Sequence, residues 1–161
     1  PTFSRTMRAG DEMNDLRRSI TLGTTGDRRL EALARLPDLI NARGETVATS
    51  GAFRDSFRRR RCLVPAEAFY EWRKEAGGKK APVRFGLREG GLFTFAGLHD
   101  AWLAPSGERV ESFAIITCEP NELVAEVHNR MPVILPEAAR AAWLNPAAEL
   151  PALQALLRPL A

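Results

Sequence analysis

Cysteine is scarce in this chain: Cys62 and Cys118 are the only two in 161 residues. They have neither the density of a disulfide framework nor the spacing of metal ligands, which fits a reducing cytosol and argues against a zinc site. No run of about 18 apolar residues occurs, so no membrane-spanning segment is expected. The opening Pro1-Thr2-Phe3-Ser4-Arg5 lacks the apolar core of a secretion signal. Repeats and low-complexity tracts are missing as well. Histidine is limited to His99 and His128. These absences point to a cytoplasmic protein for which no metal or organic cofactor is implied.

What is present suits one domain. The length allows a chain that buries most of its surface, and a hydrophobic share of 45% with 27% charged residues is ordinary for a globular protein. The net charge of +3 is only mildly basic. Its distribution says more: Arg58-Arg59-Arg60-Arg61 is unbroken, and Arg17-Arg18 and Arg28-Arg29 add pairs. Guanidinium groups bind phosphate oxygens in a planar fork, so such a run suits a nucleic-acid surface. It equally suits a solvated helix end whose charges face the helix dipole.

Up to about Thr25 the chain is polar and rich in Thr and Arg without steady period, the pattern of a loop or weak helix. Residues 27–36 carry apolar positions near helical spacing, and Pro37 ends them. Residues 40–48 read as extended, and 52–60 as a short helix with Phe53 and Phe57 one turn apart. Strands dominate from Cys62: 62–65, 68–73, then Val83, Phe85 and Leu87 alternating with polar or small neighbours. Gly90-Gly91 predicts a hairpin into 92–98, and a further strand covers 112–117. A helix over 120–127 delivers His128; residues 133–135 are extended. Proline opens short helices at 136–144 and 151–157. The pattern is α+β: a β-rich single domain with a mainly antiparallel, barrel-like sheet and peripheral helices.

Three stretches place polar groups beside apolar runs: Asn41-Ala42-Arg43-Gly44-Glu45-Thr46, Tyr70-Glu71-Trp72 and His128-Asn129-Arg130-Met131-Pro132. An inward Glu71 would be desolvated, with a raised pKa suited to a general acid; an outward one would be a plain surface carboxylate. By alternation Phe69 and Glu71 share one face and Tyr70 and Trp72 the other, and Phe69 favours the inward choice. His128 can transfer protons near neutral pH or hold an anion, or simply end a helix. Asn41 and Arg43, two apart on an extended segment, lie on one side, where one could orient a reacting group and the other hold a phosphate. Arg130 is a phosphate ligand or a surface ion-pair partner. His99 has the look of a strand residue. Cys62 and Cys118 follow the pattern of buried strand residues, which disfavours an internal thiol hydrolase.

Taken together, the segments resemble the SRAP family, the SOS-response-associated peptidases that process abasic sites in DNA. The markers are Ile40 to Thr46, Phe53 to Phe57 leading into Arg59 to Pro65, Tyr70-Glu71-Trp72, Phe95 to Leu98, Ile115 to Thr117 and His128 to Leu135, in family order. The resemblance implies a partner, single-stranded DNA with abasic sites, and a monomer acting in the cytoplasm at the nucleoid. It implies a covalent thiazolidine link between the sugar aldehyde and an N-terminal cysteine exposed by autoproteolysis. Asn41, Glu71 and His128 would be catalytic; Arg43, Arg130 and Thr117 would face the DNA.

Residues 40–161 carry the family-like core, and residues 1–39 look divergent or rearranged. No cysteine lies near residue 1, so a truncated or inactive member is expected. Two alternatives stand beside it: a non-covalent single-stranded-DNA-binding module without the nucleophile, and the internal thiol hydrolase.

Overall fold

The period-2 pattern at Val83 and Phe85 is the seed of one of two sheets in the computed structural model, which describes residues 3–7, 40–103 and 107–160. Both side chains are fully buried. They lie on β5 (Lys80–Leu87), which is flanked antiparallel by β1 (Phe3–Met7) and β4 (Ala68–Lys74). Phe69 of β4 stacks on Phe85 with ring centroids 5.1 Å apart and meets Phe95 of the other sheet edge-on at 6.1 Å. That aromatic trio joins the two sheets. β4 and β5 form a hairpin through a 3-10 turn over Ala76–Gly78, where Gly77 and Gly78 take φ of 80° and 79°, conformations that L side chains resist.

The second sheet runs β2 (Asn41–Arg43), β7 (Arg109–Cys118), β6 (Phe93–Leu103), β3 (Arg61–Ala66), with β8 (Met131–Pro132) on β7 and β9 (Ile134–Leu135) on β6. All its pairings are antiparallel except β2 with β7. Where β3 pairs with β6, neighbouring side chains fill the space over Gly97: a Cβ there would sit 2.8 Å from both Cys62 Sγ and Val64 Cγ2. One hydrophobic cluster runs through both sheets, from Val83 and Phe85 to Leu98, Ile116 and Trp143. The α+β reading holds. The described strands form two open layers, not a closed barrel.

Several expectations change. Gly90-Gly91 does turn the chain, but from β5 in one sheet to β6 in the other, so no hairpin forms there. A turn signal fixes a change of direction; the apolar run Phe93, Phe95, Ala96 and Leu98 chooses its partners by burial. Phe3–Met7 is a strand rather than loop or helix, because the free edge of β5 satisfies its backbone. The extended stretch from residue 40 stops at Arg43, and the helix expected over 120–127 is the single turn α2 (Glu122–Ala125). The helical spacing at 27–36, with Arg17-Arg18 and Arg28-Arg29, lies outside the described residues.

The arginine run divides at the end of α1 (Arg54–Arg59). Arg58 and Arg59 are exposed. Arg61, by contrast, is buried, and its guanidinium donates to Phe57 O (2.7 Å), Arg58 O (2.6 Å), Trp143 O (2.7 Å) and Asn145 O (2.7 Å). It closes the carbonyl ends of α1 and of α3 (Glu137–Leu144) at once. Trp143 seals the same corner, with Nε1 donating to Cys62 O at 2.9 Å. The last helix is α4 (Leu150–Ala155), and no described helix is long and apolar enough to cross a membrane.

Candidate functional site

His128 owes its place to a single capped turn. Asn121 Oδ1 accepts the Val124 N–H at 3.0 Å, and the Val127 and His128 N–H groups both return to Val124 O at 2.9 Å. The chain then passes Asn129 and Arg130 before Pro132, which favours extended backbone before it, and β8 pairs Met131 with Cys118. His128 therefore projects from a short loop pinned at both ends. Its Nδ1 lies 3.7 Å from Glu71 Oε2 and 3.2 Å from both the amide N and the carbonyl O of Arg130.

Glu71 comes from the other sheet, on β4 opposite Val83. Phe69 is 7% exposed and the Glu71 side chain 21%, so their shared face turns inward. Burial pushes the Glu71 carboxyl above its ordinary pKa, with the His128 charge pulling more weakly the other way. A half-buried acid beside an imidazole is a pair between which a proton can move.

Asn41 and Arg43 are exposed on either side of buried Ala42, as an extended segment requires. β2 runs parallel to β7 with Arg43 beside Thr117. Gly44 follows, its N–H donating to Thr117 O at 2.8 Å; a Cβ there would stand 3.2 Å from that oxygen. Thr117 Oγ1 lies 3.4 Å from Ala42 O as donor. Arg130 reaches the same place: Nη2 donates to Thr117 O (2.7 Å) and Thr117 Oγ1 (3.1 Å). The structure thus links Arg43, Thr117, Arg130, His128 and Glu71 through adjoining contacts; Asn41 is exposed on β2, two residues before Arg43 and opposite Ile115.

One member of the cluster carried no sequence signal of its own. Glu45 takes Arg130 in a two-bond fork, Oε1 from Nη1 at 2.7 Å and Oε2 from Nη2 at 2.9 Å. Arg130 holds its carboxyl below the ordinary range. A single glutamate in a turn gives no hint of its partner; only the pairing of β2 with β7 brings the two together.

Neither thiol suits a nucleophile. Cys118 is 2% exposed and its pKa is pushed up to about 11, chiefly by burial; burial raises Cys62 as well. His99 is exposed on β6, away from these contacts. Among the described residues no three His, Cys, Asp or Glu side chains gather as a metal site requires. An open hollow of about 500 Å³ adjoins His128, lined also by Glu119, Pro120, Ala125, Val127 and Asn129.

The family model described as SOS response associated peptidase (SRAP) matches residues 19–161. The chain is 43% identical over 122 residues to the abasic site processing protein YoqW of Bacillus subtilis (strain 168), covering 75% of this chain and 54% of that protein. It is 38% identical over 110 residues to the abasic site processing protein YedK of Escherichia coli (strain K12), covering 68% and 48%. The crystal structure of a protein from Bacteroides thetaiotaomicron matches with a TM-score of 0.74 at 31% identity, over 88% of this chain and 62% of that one. The chain spans about half the length of the curated relatives it matches.

Proposed function

Since the chain belongs to the SRAP family, we propose that it holds single-stranded DNA at an abasic site and provides the acid–base groups for capture of the exposed sugar. The observation that carries this reading is the approach of Glu71 Oε2 to His128 Nδ1, 3.7 Å, beside the strand end that presents Arg43. An abasic sugar opens to an aldehyde. Condensation with an amine forms a C=N bond and expels the aldehyde oxygen as water, which needs a proton delivered and then recovered.

Glu71 fits that task because its raised pKa keeps a larger protonated share than an ordinary carboxyl at the same pH. His128 relays the proton or holds the sugar hydroxyl or phosphate. Asn41 orients the attacking amine. Arg43 grips a flanking phosphate, and Thr117 and Arg130 form the wall on that side. The attacking amine and thiol belong to an N-terminal cysteine exposed by autoproteolysis, a residue that these 161 do not include; adding the thiol across the C=N bond closes a thiazolidine.

A second reading follows from the thiols. With Cys118 buried, Cys62 partly buried and both thiol pKa values raised by burial, these residues by themselves favour non-covalent binding. One experiment serves both. The chain is mixed with single-stranded DNA bearing one abasic site and run on native and denaturing gels. A native complex that dissolves in denaturant is expected of the 161 residues, and a heat-stable band only when the cysteine is restored at the N-terminus. Absence of a native complex at low salt would overturn the proposal.

A further inference from the structure

We propose that Glu45 is a positioning residue: by holding the Arg130 guanidinium against Thr117, it fixes the loop that aims His128 at Glu71 and keeps the Arg130 charge from DNA phosphate. The half that concerns DNA rests on the function proposed above.

The geometry leaves Arg130 little freedom. A guanidinium has five N–H donors in a rigid fork. Glu45 takes one from each terminal nitrogen, and Thr117 draws Nη2 with its carbonyl and hydroxyl. Nε is buried without a partner. The Arg130 side chain is 24% exposed against 47% for Glu45, so the carboxylate screens the cation on its solvent side. A phosphate approaching Arg130 meets a pair whose charges already cancel.

The backbone of Arg130 is what the His128 ring rests on. A neutral ring accepts the Arg130 N–H at Nδ1, which puts its proton on Nε2. A ring protonated at Nδ1 turns that hydrogen bond toward Arg130 O or the Glu71 carboxylate. In either state the ring depends on where Arg130 lies, and the side chain of Arg130 is moored by Glu45. Removing the carboxylate leaves a partly buried cation without its counter-charge, a state that favours release of the side chain to solvent.

A brace with only a structural role predicts that loss of Glu45 lowers stability, affinity and ring order together. The proposal predicts opposite signs. In E45A, affinity for a short unmodified oligothymidylate rises at low salt, because one more cation meets the strand. The salt slope steepens by about 0.7, so roughly threefold more affinity is lost between about 50 and 200 mM salt. At the same time the ring ¹⁵N shifts of His128 move toward a mixture of tautomers, while those of His99, the only other histidine, stay put. E45Q, which keeps one acceptor without the charge, recovers part of the ring order and none of the original salt slope. In an R130A background E45A adds nothing to the ring readout.

Unchanged His128 shifts in folded E45A would overturn the positioning role, and an unchanged salt slope would overturn the charge-withholding role. Should E45A fail to fold, E45Q carries both measurements. If the wild-type chain does not bind the oligothymidylate, the functional reading fails, while the ring shifts still decide the role of Glu45.

Discussion

Replacing Arg61 should unfold a corner of the protein rather than weaken the proposed hold on DNA. Its four hydrogen bonds, 2.6–2.7 Å long, end on carbonyls of Phe57, Arg58, Trp143 and Asn145. A hydrogen bond to a charged group contributes about 1.5–3 kcal/mol, and bonds sharing one donor group are not additive. For R61A a loss of about 4 kcal/mol is therefore expected, since the truncation also strands buried helix-end carbonyls without donors. At this chain length that corresponds to a fall in Tm of about 8–16 °C. R61K should recover little, because a single ammonium cannot span the ends of α1 and α3. R58A, an exposed neighbour in the same run, should move Tm by less than about 2 °C. Circular-dichroism melts of the three variants beside a DNA-binding series make the comparison. If R61A melted with the wild type and instead lost affinity with a shallower salt slope, the assignment of Arg61 to the helix ends would be refuted.

Further outcomes concern the site and the sheets. Glu71 titrates above its unfolded value, so its contribution to stability is full below the unfolded carboxylate pKa and is lost as pH rises through the folded pKa. E71Q should then melt at or above the wild type near pH 8, while capture of abasic DNA by protein carrying the terminal cysteine falls by about 10²-fold or more; a lower Tm at both pH 4 and pH 8 would contradict the burial argument. R43A should weaken binding to single-stranded DNA and flatten the salt slope by about 0.7, to be read from dissociation constants across a salt series; an unchanged slope would remove Arg43 from the phosphate contacts. G97A should cost about 1–3 kcal/mol, because its Cβ meets Cys62 Sγ and Val64 Cγ2 at 2.8 Å. The added substitution C62A should return part of that loss in a urea double-mutant cycle, and full additivity would show that the contact is not the cause.

Local order was legible where the chain's own pattern sufficed. The alternation at Val83 and Phe85 marks β5, and the apolar run before Cys118 marks β7. The polar members of the candidate site also stood out in sequence as residue types. Pairings did not. Four consecutive arginines look alike in sequence, and only the register of β3 against the ends of two helices decides that Arg61 goes in while Arg58 and Arg59 stay out. Gly90-Gly91 announced a turn yet not that the next strand belongs to another sheet. Glu45 stayed silent because its partner stands 85 residues further on. Such facts arise from tertiary burial and from backbone groups finding donors, which no short window of sequence contains.

The placement of Glu71 on one sheet and of His128 on the loop leading into the other has a bearing on the protein's own synthesis. β4 leaves the ribosome well before α2 and β8, so for that interval the glutamate has no imidazole beside it. A contact this distant along the chain must first meet the entropy cost of closing the loop between its partners. If the pair acts as proposed, its chemistry is tied to maturation: a half-folded chain carries an ordinary carboxylate at Glu71, and the couple with His128 forms only when the two sheets dock.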